Sequence, residues 1–247
     1  MNTLLVEEKP DRVVVRLHRP EARNAIDAEM VGDLHAVCGL LERDPRPLLL
    51  TGGDGVFAAG ADIGELLRRG REQALQGINS TVFERIRRLP MPTVAAVDGH
   101  ALGGGAELAY ACDIRLASTR ARFGNPEPHL GIIAGAGACW RLRELVGEPL
   151  AKLVLLAGHT IEAPEALASR LVAALHEPGE LETAAHRLID RMTEVSPAAL
   201  RLTKLVLDAP PSAHPVADHL AQAVLFEDSD KEARMRKFLD RKRKDTT

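Results

Sequence analysis

At 247 residues, 45% hydrophobic and 27% charged, the chain is long enough for one globular domain with a substantial core and an appendage. A formal net charge of −3 argues against a general nucleic-acid binder, and with one Trp, one Tyr and five Phe there is little to stack bases on. Cys38, Cys112 and Cys139 are odd in number and far from any C-x-x-C pattern, so reduced thiols in a cytoplasmic protein are expected, with neither a disulfide framework nor a cysteine metal site.

The opening MNTLLVEEKPDRVVV carries acids early and has no long apolar run, so no signal peptide is expected. No window reaches the roughly 18 apolar residues of a membrane helix. RVVVRL (12–17) and RPLLLTG (46–52) are compact apolar runs bounded by Pro or Gly, as buried strands are. Between them Met30, Val31, Leu34, Val37 and Leu41 fall at helical spacing behind Asp27, a candidate N-cap. A second helical stretch, about 72–88, leads through Pro90 and Pro92 into the strand TVAAVD (93–98). A glycine loop follows, then a helix from about 105 and a short strand, DIRLAS (113–118). Alternating strands and helices predict an α/β core with parallel pairing. From about 180 four helical segments follow with no strand signal, so residues 1–180 are assigned to the core and 181–247 to a helical region. Such a tail either packs on its own core or serves oligomerisation.

Two loops expose backbone just after a strand: GGDGVFAAGADIGEL (52–66) and GHALGGGAEL (99–108). Neither contains a P-loop or a complete G-x-G-x-x-G, so phosphate-cradling and dinucleotide readings fail. Loops at the carboxyl ends of parallel strands meet at one sheet edge, where ligands bind. Each loop also opens a helix whose first N–H groups lack intrahelical partners, and two such amides aimed at one point make an oxyanion hole. Glu107 stands among Ala106, Leu108, Ala109 and Tyr110, an apolar setting that calls for partners or a raised pKa. Glu127, bracketed by Pro126 and Pro128, is expected to be extended and rigidly held. Two carboxylates on one site are the usual apparatus of paired acid–base work.

LHRPEARNAID (17–27), LLLTGGDGVFAAGADI (48–63), PTVAAVDGHALGGGAELAYACDIRLAS (92–118), RFGNPEPHLGIIAGAGACWRL (122–142) and FLDRKRK (238–244) together resemble the crotonase family of enoyl-CoA hydratases and isomerases. The resemblance runs nearly end to end. It implies a spiral of ββα units with a C-terminal helical trimerisation region, assembled as a trimer or a dimer of trimers. It implies oxyanion-hole amides at Ala61 and Gly104 and catalytic carboxylates at Glu107 and Glu127. Asp62, Ile63 and Gly64 match the CoA adenosine pocket, Ala59 offers adenine a backbone carbonyl, and Gly135 lies near the reacting water and acyl group. The partner implied is an acyl-CoA thioester, with no metal and no cofactor beyond the CoA of the substrate.

The chain departs from the family pattern in places. Gly64 replaces a common Lys, which shifts phosphate contacts to Arg19, Arg23 or the basic tail. Cys139 and Trp140 interrupt GAGGTQRL, and Pro128 and His129 follow Glu127 where aliphatic residues are commoner. The leading expectation is hydration of a trans-2-enoyl-CoA. Double-bond isomerisation and acyl-CoA binding without turnover stay open beside it. His100 and His129 are read as structural histidines.

Overall fold

The computed structural model describes residues 1–53 and 55–244, with side chains through Arg241. The chain divides into two compact units, Met1–Ile189 and Asp190–Thr247. The division falls inside a helix that starts at Leu181.

The first unit opens with β1 (Leu4–Lys9) and β2 (Arg12–Leu17), then α1 (Ala28–Arg43), β3 (Leu48–Thr51) and β4 (Val56–Ala58). Next come α2 (Ile63–Arg68), α3 (Arg71–Gln76), α4 (Ile78–Arg87), β5 (Thr93–Val97), β6 (His100–Leu102) and α5 (Gly104–Ala111). After them run β7 (Ile114–Ser118), β8 (Arg122–Gly124), α6 (Ala138–Val146), α7 (Glu148–Ala157), β9 (Ile161–Glu162), α8 (Ala163–Ala168), β10 (Ala174–His176) and α9 (Leu181–Thr193). The order of a six-stranded sheet is β1-β2-β3-β5-β7-β10, and that of a four-stranded sheet is β4-β6-β8-β9. Among the described strands, all pairs other than the antiparallel β1–β2 and β8–β9 are parallel, as the strand–helix alternation predicts.

The winding follows a rule. Each of three successive strand pairs, β3–β4, β5–β6 and β7–β8, places its first strand in the large sheet and its second in the small one before helix resumes. That is a spiral of ββα turns. Val13, Val14 and Val15, Leu48–Leu50 and the whole of β5 are buried, so these strands read as continuous apolar runs because both faces are covered. Tyr110, Phe57, Phe83 and Phe123 are fully buried, each contributing about 1.5–3 kcal/mol by leaving water. Asp27 does cap α1, its Oδ1 accepting from Met30 N at 2.8 Å.

Two local expectations are revised. The stretch at 72–88 is not one helix; it breaks between α3 and α4 at Gly77, which is left-handed (φ 61°). The exposing loops do not follow β3 and β5 directly, because the three-residue strands β4 and β6 intervene. Runs so short carry no periodicity for a sequence to display.

The second unit holds the end of α9, then α10 (Pro197–Leu207), α11 (Val216–Phe226) and α12 (Ser229–Lys244), the helical segments expected of the tail. Ser196 Oγ caps α10 by accepting from Ala199 N, and Arg234 pairs with Asp230 at 2.7 Å. Leu220 and Val224 of α11 and Phe238 and Leu239 of α12 are exposed. Among the described residues no helix is long and apolar enough to cross a membrane.

Candidate active site

Because β4, β6 and β8 are parallel neighbours, the segments that leave their carboxyl ends must emerge side by side. These segments are Ala59–Asp62, Gly103–Glu107 and Asn125–Glu127. Together with α3, α4 and residues 130–136 they enclose a cavity of about 550 Å³. Ala59, Ala61, Ile63, Gly104, Glu107, Glu127 and Gly135 all line it.

Glu107 lies on the first turns of α5, where Gly105 lets the helix press against β4. A Cβ at 105 would overlap the Ala58 carbonyl. The Glu107 side chain is only 4% exposed. Its Oε1 accepts from Ala136 N at 2.8 Å and Ala138 N at 3.0 Å, so the glycine-rich stretch 135–138 wraps one carboxylate oxygen. Burial pushes its pKa up to about 7, those amides hold it down in part, and the Glu127 carboxylate adds to the rise.

Glu127 is not extended as the flanking prolines suggest. It opens a 3-10 turn, Glu127–Leu130, with His129 N donating to Pro126 O and Ile132 N to Glu127 O. Proline at the second position of a helical turn loses only an N–H that had no partner there, so Pro128 is compatible with the turn. Glu127 is buried, its Oε2 has no hydrogen-bond partner among the described residues, and its pKa is raised, chiefly by burial. Asn125 opposes that rise. Tyr110 Oη donates to Asn125 Oδ1 at 3.4 Å, and Asn125 Nδ2 donates to Gly103 O at 3.5 Å, so this side chain ties α5 to the Glu127 turn.

The two candidate amides lie close together. The point where a Cβ of residue 104 would sit is 3.4 Å from Ala61 N. Among the described residues neither Ala61 N nor Gly104 N donates to a backbone carbonyl. Gly103, which precedes them, has φ +50°, and a Cβ there would lie 2.9 Å from Glu127 Oε1. Two amide nitrogens without acceptors, facing a cavity with two protonatable carboxyls, can hold a carbonyl oxygen while a proton is exchanged nearby.

The Ala59–Asp62 segment is clamped from the LHRPEARNAID motif. Ala59 N donates to Arg23 O, Ile26 N to Gly60 O, and Asp62 N to Ile26 O. Arg23 and Asn24 both adopt left-handed backbone, and the buried Asn24 Nδ2 reaches Val56 O and Phe57 O at 3.2 Å. Arg23 is exposed and does not line the cavity, so its visible contribution is a backbone carbonyl. Asp62 and Gly64 do not line it either. Asp62 caps α2 through Glu65 N, and Arg19 pairs with Asp27 at 3.1 Å and lies 3.7 Å from Asp62. The side chains 242–244 of the basic tail lie outside the described residues.

His129 is exposed and packs toward Gly158, away from the cavity. Trp140, under the Arg87 guanidinium at 5.6 Å, borders instead a second cavity of about 810 Å³. Ser80, Glu107, Gly135 and Ala136 line both cavities. Cys139 lines neither; its Sγ lies 3.4 Å from Ala134 O. Sequence reasoning missed Asn79, Arg69 and Asn125. An Asn directly before Pro-Glu was the one available hint for Asn125, and nothing local marked the other two.

The model of the enoyl-CoA hydratase/isomerase family matches residues 8–246, and the chain belongs to that family. It is 39% identical over 215 residues to a short-chain-enoyl-CoA hydratase of Clostridium acetobutylicum, covering 84% of this chain and 82% of that protein. It is 35% identical over 206 residues to a crotonyl-CoA hydratase of Syntrophomonas wolfei, covering 81% and 79%. Among solved structures, an enoyl-CoA hydratase from Bacillus anthracis superposes with a TM-score of 0.91 at 29% identity, over 97% of this chain and 96% of that one.

Proposed function

We propose that this chain hydrates trans-2-enoyl-CoA thioesters. The observation that carries the reading is the convergence on one cavity of two buried carboxyls of raised pKa and two amide nitrogens that have no acceptor among the described residues. In this reading the amides of Ala61 and Gly104 take the thioester oxygen and stabilise the enolate-like charge that develops there. One carboxylate removes a proton from water as its oxygen bonds to the β-carbon. The other carboxyl delivers a proton to the α-carbon. Water is thereby added across the double bond, and the proton taken by the first carboxylate passes to the second, by way of solvent, before the next turnover.

With Glu107 titrating about 7 and Glu127 also raised, a state with one carboxyl protonated and one ionised is accessible near neutrality. The chemistry needs no group beyond the CoA of the substrate. The helical region with its exposed apolar side chains is proposed to carry self-association into trimers. The free thiols of Cys38, Cys112 and Cys139 suit a reducing, cytoplasmic setting.

The test follows loss of the conjugated thioester absorbance of a short trans-2-enoyl-CoA, with Glu107→Gln and Glu127→Gln in parallel. Hydration by the wild type and a loss of orders of magnitude in both variants supports the reading. A wild type that binds the thioester, leaves its absorbance unchanged and shifts the double bond of a 3-enoyl-CoA would make the chain an isomerase. Binding with neither reaction would make it an acyl-CoA binder.

A further inference from the structure

Asn79 stands on the first turn of α4 and lines the main cavity, yet it is only 9% exposed. Its two amide ends are in different situations. Oδ1 accepts from Arg69 Nη1 at 3.4 Å, and Arg69 Nη2 is held in turn by Glu65 at 3.1 Å. Glu65 Oε2 also accepts from Ala28 N, which ties this chain of contacts to the start of α1. The guanidinium therefore decides which way the carboxamide points, since a flipped amide would set its NH₂ group against a cation that can only donate. Nδ2 is left with no protein acceptor among the described residues.

That free NH₂ group points back to the anion-holding corner. The position a Cβ of residue 104 would take is 3.6 Å from Asn79 Nδ2 and 3.4 Å from Ala61 N, beside the nitrogen of Gly104 itself. Three nitrogen donors thus gather at one corner of the cavity, beside the space that glycine leaves open at 104. The residue is nine-tenths buried while this nitrogen opens to the cavity, so a ligand oxygen that enters there can accept from it.

We infer that Asn79 is a third hydrogen-bond donor to the thioester oxygen, supplementing Ala61 and Gly104, with Arg69 and Glu65 as the residues that aim it. The assignment rests on the hydratase reading of the site. It adds a catalytic residue carried on α4, which packs beside the glycine-rich start of α5.

Asn79→Asp and Asn79→Leu test it, because the competing role of Asn79, anchoring Arg69, predicts the reverse order. An aspartate accepts from Arg69 better than an amide does, but it has no donor and opposes negative charge on the oxygen. The expected result is a kcat loss of about 10²-fold in Asn79→Leu, a larger loss in Asn79→Asp, and KM within about threefold for Asn79→Leu. Thermal unfolding checks that both variants fold, and the isosteric aspartate carries the test if the leucine does not.

A second readout is independent of turnover. In a Glu107→Gln background, the red shift of the enoyl-thioester absorption band on binding reports polarisation of the carbonyl. Substituting Asn79 should shrink that shift while binding persists. An Asn79→Asp enzyme within about twofold of wild-type kcat, or an unchanged red shift in either variant, overturns the inference. A wild type that polarises the thioester without hydrating it overturns the hydratase reading, yet the red shift still decides the role of Asn79.

Discussion

Glu107→Gln should stabilise the protein while abolishing its proposed chemistry, and the stabilisation should depend on pH in a defined direction. The carboxyl is 4% exposed and titrates about 7 in the folded chain, against 4.5 when unperturbed. A folded-state pKa raised above the unfolded one means that the native state binds the proton more tightly. Below pH 4.5 the group is protonated in both states and contributes no slope. From there to about pH 7 it ionises in the unfolded chain first, and native stability declines. Above that window the full cost is in place, about 3 kcal/mol at 1.36 kcal/mol per pKa unit.

Glutamine keeps an oxygen for Ala136 N and Ala138 N but carries no charge, so it escapes this cost. Denaturant unfolding at pH 8.5 should show Glu107→Gln more stable by about 3 kcal/mol, or roughly 10 °C in Tm, and at pH 5 by under about 1 kcal/mol. Equal gains at both pH values, or a loss at pH 8.5, would refute the reasoning. Either outcome would mean that the amides of residues 136 and 138 compensate the buried charge fully.

Other substitutions probe different links. Gly104→Ala should leave Tm near the wild-type value, since its Cβ meets Ala61 N and Asn79 Nδ2 only at contact distance. It should nonetheless lower kcat/KM for enoyl-CoA hydration by about 10²-fold, because the methyl crowds the corner beside Ala61 N and Asn79 Nδ2 and pushes the thioester oxygen away from its donors. Gly105→Ala should cost about 3 kcal/mol in denaturant melts, because its Cβ would collide with the Ala58 backbone between α5 and β4. Asp27→Ala removes the α1 cap and should cost about 1 kcal/mol by the same measurement.

The large parallel sheet was legible because its strands, RVVV, LLL and TVAAV, are buried on both faces and bounded by Pro or Gly. Helix α1 was legible from its apolar spacing and its Asp cap. β4, β6 and β8 were not, since three residues show no period, and yet they are the strands that set the site. Glu107 and the glycine triplet were conspicuous as an acid and a bare backbone in apolar surroundings. The 3-10 turn at Glu127 was misjudged because a proline's effect on its neighbour depends on whether a turn closes around it, and Ile132 N closes this one onto Glu127 O. Arg23 drew attention for its charge, whereas its visible role is the carbonyl that holds Ala59.

By itself, then, the sequence determined the alternation of strand and helix, the exposed backbone at 103–105 and an acid placed among alanines and leucines. All three are local properties, written in burial patterns and side-chain absence within a few residues. Only the tertiary structure decided that Ala61, Gly104 and Glu127 would meet. They lie at the ends of β4, β6 and β8, and their adjacency comes from parallel pairing between segments more than twenty residues apart. The same holds for Asn79, whose side chain is ordinary in its own helix. It becomes distinctive only once Arg69 turns its amide toward the space that glycine leaves at 104.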